Sequence, residues 1–192
     1  MATRESLLDV TARLYAEHGW RGTTTRRIAE AAGVNEVTIF RQFGSKASLL
    51  LEAIARSAGS RRGPELPAVP GRLCDELTTW GLAHHRAIRE KSGVIRACLA
   101  DWGERPELAP QACESGAVAF ADVRRYLTVA RARGLIGHEG SVEAAAVMLI
   151  NTIFMDAITR DTLPAAHPHS SEQSITLFVE LLLRGLGTPE GA

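Results

Sequence analysis

The sequence predicts an all-α fold in two units: an N-terminal three-helix unit built around a helix-turn-helix, and a larger helical unit after it. Three observations predict it. Apolar residues recur at three- and four-residue intervals along most of the chain, and no stretch shows the period of two that a half-buried strand needs. Two short segments with capping residues meet around Gly33. Residues 59–71, GSRRGPELPAVPG, hold three Pro and three Gly and interrupt the helical pattern. The expected units are residues 1–58, linked through about 59–71, and residues 72–192.

The first helix carries Leu7, Leu8, Thr11, Leu14 and Tyr15 on one face and ends at His18-Gly19. Thr23, Thr24 and Thr25 open the second, because a hydroxyl accepts from the unpaired N–H groups of a first turn. Ile28, Ala29 and Ala32 form its stripe. Gly33 ends it, supplying the left-handed conformation that a sharp turn needs. Val34 fills the angle, and Asn35 caps the next helix. There Ile39 and Phe43 face inward, leaving Glu36, Val37, Thr38, Arg41 and Gln42 outward. Gly44 breaks that helix. Ser45 caps another, with Leu49, Leu50, Ala53 and Ile54 buried.

Beyond the linker, Leu73, Leu77, Trp80, His84 and Ile88 stripe a helix over about 71–91. Ile95, Cys98, Leu99 and Trp102 stripe a shorter one closed by Gly103 and Pro106. Phe120, Val123, Leu127 and Ala130 mark a long helix stopping at Gly134. Ser141 caps a helix over 142–160 that is apolar nearly all round and must therefore be buried on more than one side. Ile175, Val179, Leu182, Leu183 and Leu186 define a last helix over about 172–186.

Composition narrows the function classes. The 192 residues hold 22 basic and 22 acidic side chains, with 45% hydrophobic residues, enough for a core. Residues 1–62 hold 10 Lys/Arg against 6 Asp/Glu; residues 63–192 hold 12 against 16. A basic N-terminal part suits nucleic-acid binding. Cys74, Cys98 and Cys113 lack disulfide or zinc spacing, which suits a reducing cytoplasm. MATRESLLDV carries charges where a signal peptide is apolar. The apolar stretch Ala144–Ile158 contains Asn151 and Asp156 and reads as too short and too polar for a membrane span. His84-His85 and His167-x-His169 lack a third ligand, so no metal site is expected. No cofactor motif and no catalytic motif (GxSxG, HExxH or P-loop) occurs, so no enzyme is expected.

Gly19-Trp20, Thr23-Thr24, Ile28-Ala29, Ala32-Gly33-Val34, Thr38-Ile39-Phe40, Phe43, Ser45-Lys46 and Leu49 together resemble the DNA-binding domain of the TetR family of bacterial transcriptional regulators. The resemblance covers about residues 3–58. It implies a dimeric regulator, most simply a repressor, that binds a palindromic double-stranded operator. It also implies a second domain with an effector pocket and a dimer interface from the last two long helices, about 142–160 and 172–186. The plain alternative is that those two helices fill one monomeric core.

By the same resemblance, Thr24, Thr25 and Lys46 bind phosphate, and Arg26 reaches a base, where guanine O6/N7 suits a guanidinium. Asn35, Glu36, Val37 and Thr38 occupy the base-facing turns. Glu36 could accept from a cytosine amino group, and Val37 or the Thr38 methyl could pack on a thymine methyl. Arg41 and Gln42 should lie nearer the DNA backbone. Phe40 stands where the family commonly has a phosphate-binding Tyr, and cannot make that bond. For each of these side chains a solvated surface is the bland alternative.

Trp80, His84, Cys98, Trp102, Phe120, Met148, Asn151 and Phe154 are the candidate lining of a pocket for a small, mostly apolar effector. Such a stripe is more often plain core. The competing functions are a helical small-molecule-binding or scaffolding protein with weakened DNA binding, and an activator.

Overall fold

The computed structural model describes residues 3–59 and 63–188, with side chains throughout except at 58–59 and 109–115. Among the described residues there are nine α-helices and no strand. They are α1 (Arg4–Gly22), α2 (Thr25–Ala32), α3 (Glu36–Phe43), α4 (Lys46–Gly59), α5 (Leu73–Glu90), α6 (Ser92–Asp101), α7 (Ala109–Ala132), α8 (Val142–Thr159) and α9 (Ser171–Gly185).

The chain forms two compact units, Met1–Arg61 with Glu90–Ser115, and Arg62–Arg89 with Gly116–Ala192. This corrects the simple division at the Pro-rich linker, because α6 belongs to the first unit. In that unit Leu7, Leu8, Leu14, Ile28, Ala29, Ile39, Phe43, Leu49 and Ala53 make one core cluster. Tyr15, Trp20, Leu50, Ile54, Cys98 and Leu108 make a second. The side chains at 98 and 108 thus close the unit that residues 1–58 begin. Thr3 caps α1, accepting from the Ser6 N–H at 3.2 Å. The helix kinks at Gly19, whose φ of 63° only glycine adopts freely.

The second unit packs α5, α7, α8 and α9 around Leu77, Trp80, Val123, Tyr126, Leu127, Ala146, Leu149, Ile153, Ile175 and Val179. Leu66, in the segment before α5, is buried in the same core, and its N–H donates to Asp122 at 2.8 Å. Gly81 allows close approach there, since a Cβ would meet Ile175 at 2.9 Å. Ser141 caps α8 as expected, accepting from the Ala144 N–H at 3.1 Å. Ser170 and Gln173 form a capping box at α9.

Helix α8 needs a second correction. Its 18 residues have a mean hydropathy of 1.5, long and apolar enough by length and composition to cross a membrane. The shorter stretch 144–158 understated both properties. Against a span stands its packing: Ala146, Leu149, Ile153 and Ala157 are buried in a helical core. Asp156 on the same helix is buried among polar partners.

Candidate nucleic-acid interface

Short-range chemistry fixes the α2–α3 pair. The Thr24 hydroxyl accepts from the Arg27 N–H at 3.2 Å and starts α2. Gly33 ends it at φ 66°, ψ 34°, and the Val34 N–H returns to the Ala29 carbonyl at 3.0 Å. The Asn35 side chain accepts from the Val37 N–H at 2.9 Å and starts α3. Ile39 and Phe43 anchor α3 to Ile28, Ala29 and Leu49 in the core. Arg4 lies 4.3 Å over the Phe43 ring and pairs with Glu52 at 2.6 Å. With both helix starts capped and the inner face buried, the orientation of the outer face is set.

That outer face is mixed. Val37 is 70% and Phe40 48% exposed, and Arg41 is exposed beside them. Thr38 is half-buried. Gln42 is half-buried too, and its amide oxygen is buried without a partner among the described residues. Glu36 is half-buried, and one of its carboxylate oxygens accepts from the Thr25 hydroxyl. Two of the expected DNA contacts, Thr25 and Glu36, are therefore joined to each other. The Asn35 oxygen and the Thr24 hydroxyl act as caps. Arg26, highly exposed, pairs with Glu30 at 2.9 Å, and that bond raises its pKa further.

Lys46 does not extend freely into solvent. Its Nζ donates to the Trp20 carbonyl at 2.5 Å and lies 5.9 Å from the centroid of the Trp20 ring. Burial, and then the nearby Arg105 charge, hold its pKa below the ordinary lysine value. Arg105 stacks on the Trp20 ring at 4.0 Å. The Asp101 carboxylate accepts from the Trp20 N–H at 3.1 Å and from the Tyr15 hydroxyl at 3.0 Å. Trp20 is thus held through its N–H, its carbonyl and its ring. Sequence reasoning missed Asp101 and Arg105, which lie more than 80 residues from Trp20 and belong to no local motif.

Residues 7–53 match the family model described as bacterial regulatory proteins, tetR family. The match covers the segment from α1 to α4 that carries the helix-turn-helix, and the chain is similar to that family there. An HTH-type transcriptional regulator of Bacillus subtilis, YvkB, is 35% identical over 94 residues, 49% of each chain. The transcriptional repressor AcnR of Corynebacterium glutamicum is 42% identical over 59 residues, 31% of each chain. The chain spans about half the length of the first of these curated relatives and less of the second. A TetR transcriptional regulator from Agrobacterium tumefaciens shares the fold, with a TM-score of 0.78 and 20% identity, over 97% of this chain and 95% of that one. The relatives are regulators, not enzymes.

The structure does not gather the eight candidate pocket residues together. Cys98 and Trp102 fall in the first unit, Cys98 buried in its core and Trp102 41% exposed. Met148 is 67% exposed, and Asn151 is exposed on the same side of α8. Helical spacing gave all four an inward face; the rotation of α6 and α8 turns three of them out. Trp80, His84 and Phe120 remain in or against the second core, and Phe154 is half-buried. The Trp80 and His84 rings stack with centroids 3.9 Å apart. Gly63 sits against the His84 ring, leaving no room there for a Cβ. The Trp80 indole N–H donates to Asp122 at 3.1 Å.

A polar cluster in the same unit escaped the sequence. Asp156 accepts from His85 at 2.7 Å, from Arg160 at 2.6 and 3.1 Å, and from His167 at 3.0 Å. Burial opposes the charge on Asp156, but the Arg160 and His85 hydrogen bonds outweigh it and hold its pKa below the ordinary value. Burial pushes His85 down despite Asp156. A neutral imidazole donating through Nε2–H satisfies both directions. Among the described residues no group of three or more His, Cys, Asp or Glu is arranged to hold a metal.

Proposed function

We propose that the protein is a cytoplasmic, ligand-responsive transcriptional repressor that binds a palindromic operator as a homodimer. The observation that carries the reading is the α2–α3 pair, with both helix starts capped, its inner face anchored, and Val37, Phe40 and Arg41 left outward. Phosphate contacts supply most of the affinity and base edges the specificity. Thr24, Arg26, Arg41, Gln42 and Lys46 are the proposed contacts to the DNA backbone and groove edge. Thr25 acts with them once its hydroxyl turns from Glu36, and Asn35 and Thr38 line the base-facing turns.

The homodimer is supported by α8 and α9. Val147, Met148 and Met155 on α8 and Leu177 and Leu181 on α9 are exposed large apolar side chains. A water-exposed face of that composition marks an interaction surface. Two copies present two recognition helices to successive major grooves, about 34–36 Å apart. The effector reading rests on Trp80, His84, Phe120 and Phe154, which suit a small, mostly apolar molecule. Such a molecule lowers DNA affinity only by binding one state of the dimer better than the other.

The test is a selection of genomic fragments with the full chain at moderate salt, followed by sequencing. An enriched palindrome is expected. Weak, salt-sensitive binding without sequence preference would overturn the reading in favour of a helical binding protein that no longer reads DNA.

A further inference from the structure

We infer that α3 reads thymine through its 5-methyl group, with Val37 as the specificity-determining residue and Phe40 beside it, rather than cytosine through Glu36. The inference rests on the DNA-binding reading above. Val37 is the second residue of α3, in the turn that a helix-turn-helix presents to base edges. Residues 37, 40 and 41 lie three and four apart and share one outward edge. Val37 is 70% exposed among the described residues, and Phe40 at 48% extends the apolar surface. Ile39 and Phe43 already anchor the helix, so packing does not explain the two exposed side chains.

The major groove narrows the choice of partner. Every base edge there offers donors or acceptors, and the thymine 5-methyl is the apolar group among them. Another base edge pressed against Val37 would lose its water and gain no hydrogen bond in return. Thymine places a methyl there instead. The side chain that would favour cytosine is Glu36, and one of its oxygens is taken by the Thr25 hydroxyl. Val37 has no such polar engagement and presents its methyl groups as it stands.

Uracil isolates the methyl, because it keeps every hydrogen-bonding atom of thymine. The full-length protein is used to select binders from two random duplex libraries, one containing thymine and one with uracil replacing it on both strands. The thymine library should return a palindrome with thymine enriched at a symmetric position in each half-site. In the uracil library the enrichment at that position should vanish while the rest of the palindrome persists. On the selected site, replacing that one thymine by uracil should weaken binding about fourfold per half-site, the worth of one buried methyl-sized group, and about sixteenfold for both. Val37→Ala should erase most of the thymine–uracil difference while melting like the wild type. Equal enrichment from both libraries, or a Val37→Ala protein that still discriminates, would overturn the inference and leave the regulator reading intact. A failure to select any palindrome from either library would overturn both.

Discussion

Replacing Asp156 by Asn should cost the second unit about 3 kcal/mol. The carboxylate is 3% exposed and accepts four hydrogen bonds, the His85 and Arg160 Nε donors at one oxygen and the Arg160 Nη2 and His167 donors at the other. An amide retains only one of those oxygens. Whichever way it turns, two donors face an NH2 group. Arg160, 15% exposed, also loses its counter-charge. Breaking a buried ion pair from one side costs roughly 3–5 kcal/mol. The low end applies here, because Asn keeps one acceptor and Arg160 still donates to the His169 carbonyl at 2.6 Å and to Ser174 at 3.1 Å. For a unit of roughly a hundred residues that loss lowers Tm by on the order of 10–20 °C. The assay is thermal unfolding followed by circular dichroism at pH 7.5, alongside Arg160→Met and the double variant. Strong non-additivity is expected, since the second substitution removes the charge that the first leaves unpaired. A loss below about 1 kcal/mol for Asp156→Asn would mean that water replaces the carboxylate easily and that the cluster is not a buried tie between α5, α8 and α9.

Acidification should destabilise the fold in two stages. The folded pKa of His85 is depressed from 6.5 by burial, so its share of stability is present above that value and is lost as pH falls below it; Asp156, also depressed, follows below 3.8. Tm measured from pH 8 to 5 should therefore fall, and a rise over that range would show that His85 is folded as the cation. Lys46→Ala should remove one phosphate contact per protomer, making the slope of log K against log salt less steep by about 1.8 for a dimer. Between 50 and 200 mM salt the wild type should thus lose roughly tenfold more affinity than the variant; an unchanged slope would place Lys46 permanently on Trp20. Sedimentation should show a dimer for the wild type and a folded monomer for Met148→Glu with Leu181→Glu. A monomeric wild type would remove the interface from α8 and α9.

How much of this could be read from the chain depends on how far apart the deciding residues lie. The caps at Thr24, Asn35 and Ser141, the Gly33 turn, and the stripe of α9 are set within four residues, and the structure repeats them closely. Helix α6 is different. Nearly every position in its ten residues is small or apolar, so its periodicity barely distinguishes one face from the other. The helix buries Cys98 and packs Val94 and Ala97 inward, and leaves Leu99 39% exposed. What selects that face is Tyr15, Trp20 and Leu50, which lie far off in the sequence. Likewise, adjacent histidines point about 100° apart on a helix. Whether His84 or His85 meets a carboxylate then depends on Asp156, 71 residues away. Lys46 shows a further limit: its partner is a backbone carbonyl, which every residue has and no motif announces.

Helix α8 combines both cases. Its all-round apolar surface predicts burial on more than one side, yet within the chain only part of that surface is covered. Ala146, Leu149, Ile153 and Ala157 face the core, whereas Val147, Met148 and Met155 stay at 44–67% exposure. The uncovered remainder, with Leu177 and Leu181 on α9, is what a second copy would bury. The monomeric-core reading accounts for the first set of residues and leaves the second without a purpose. The dimer reading uses both, which is why the sedimentation experiment on Met148 and Leu181 decides between them.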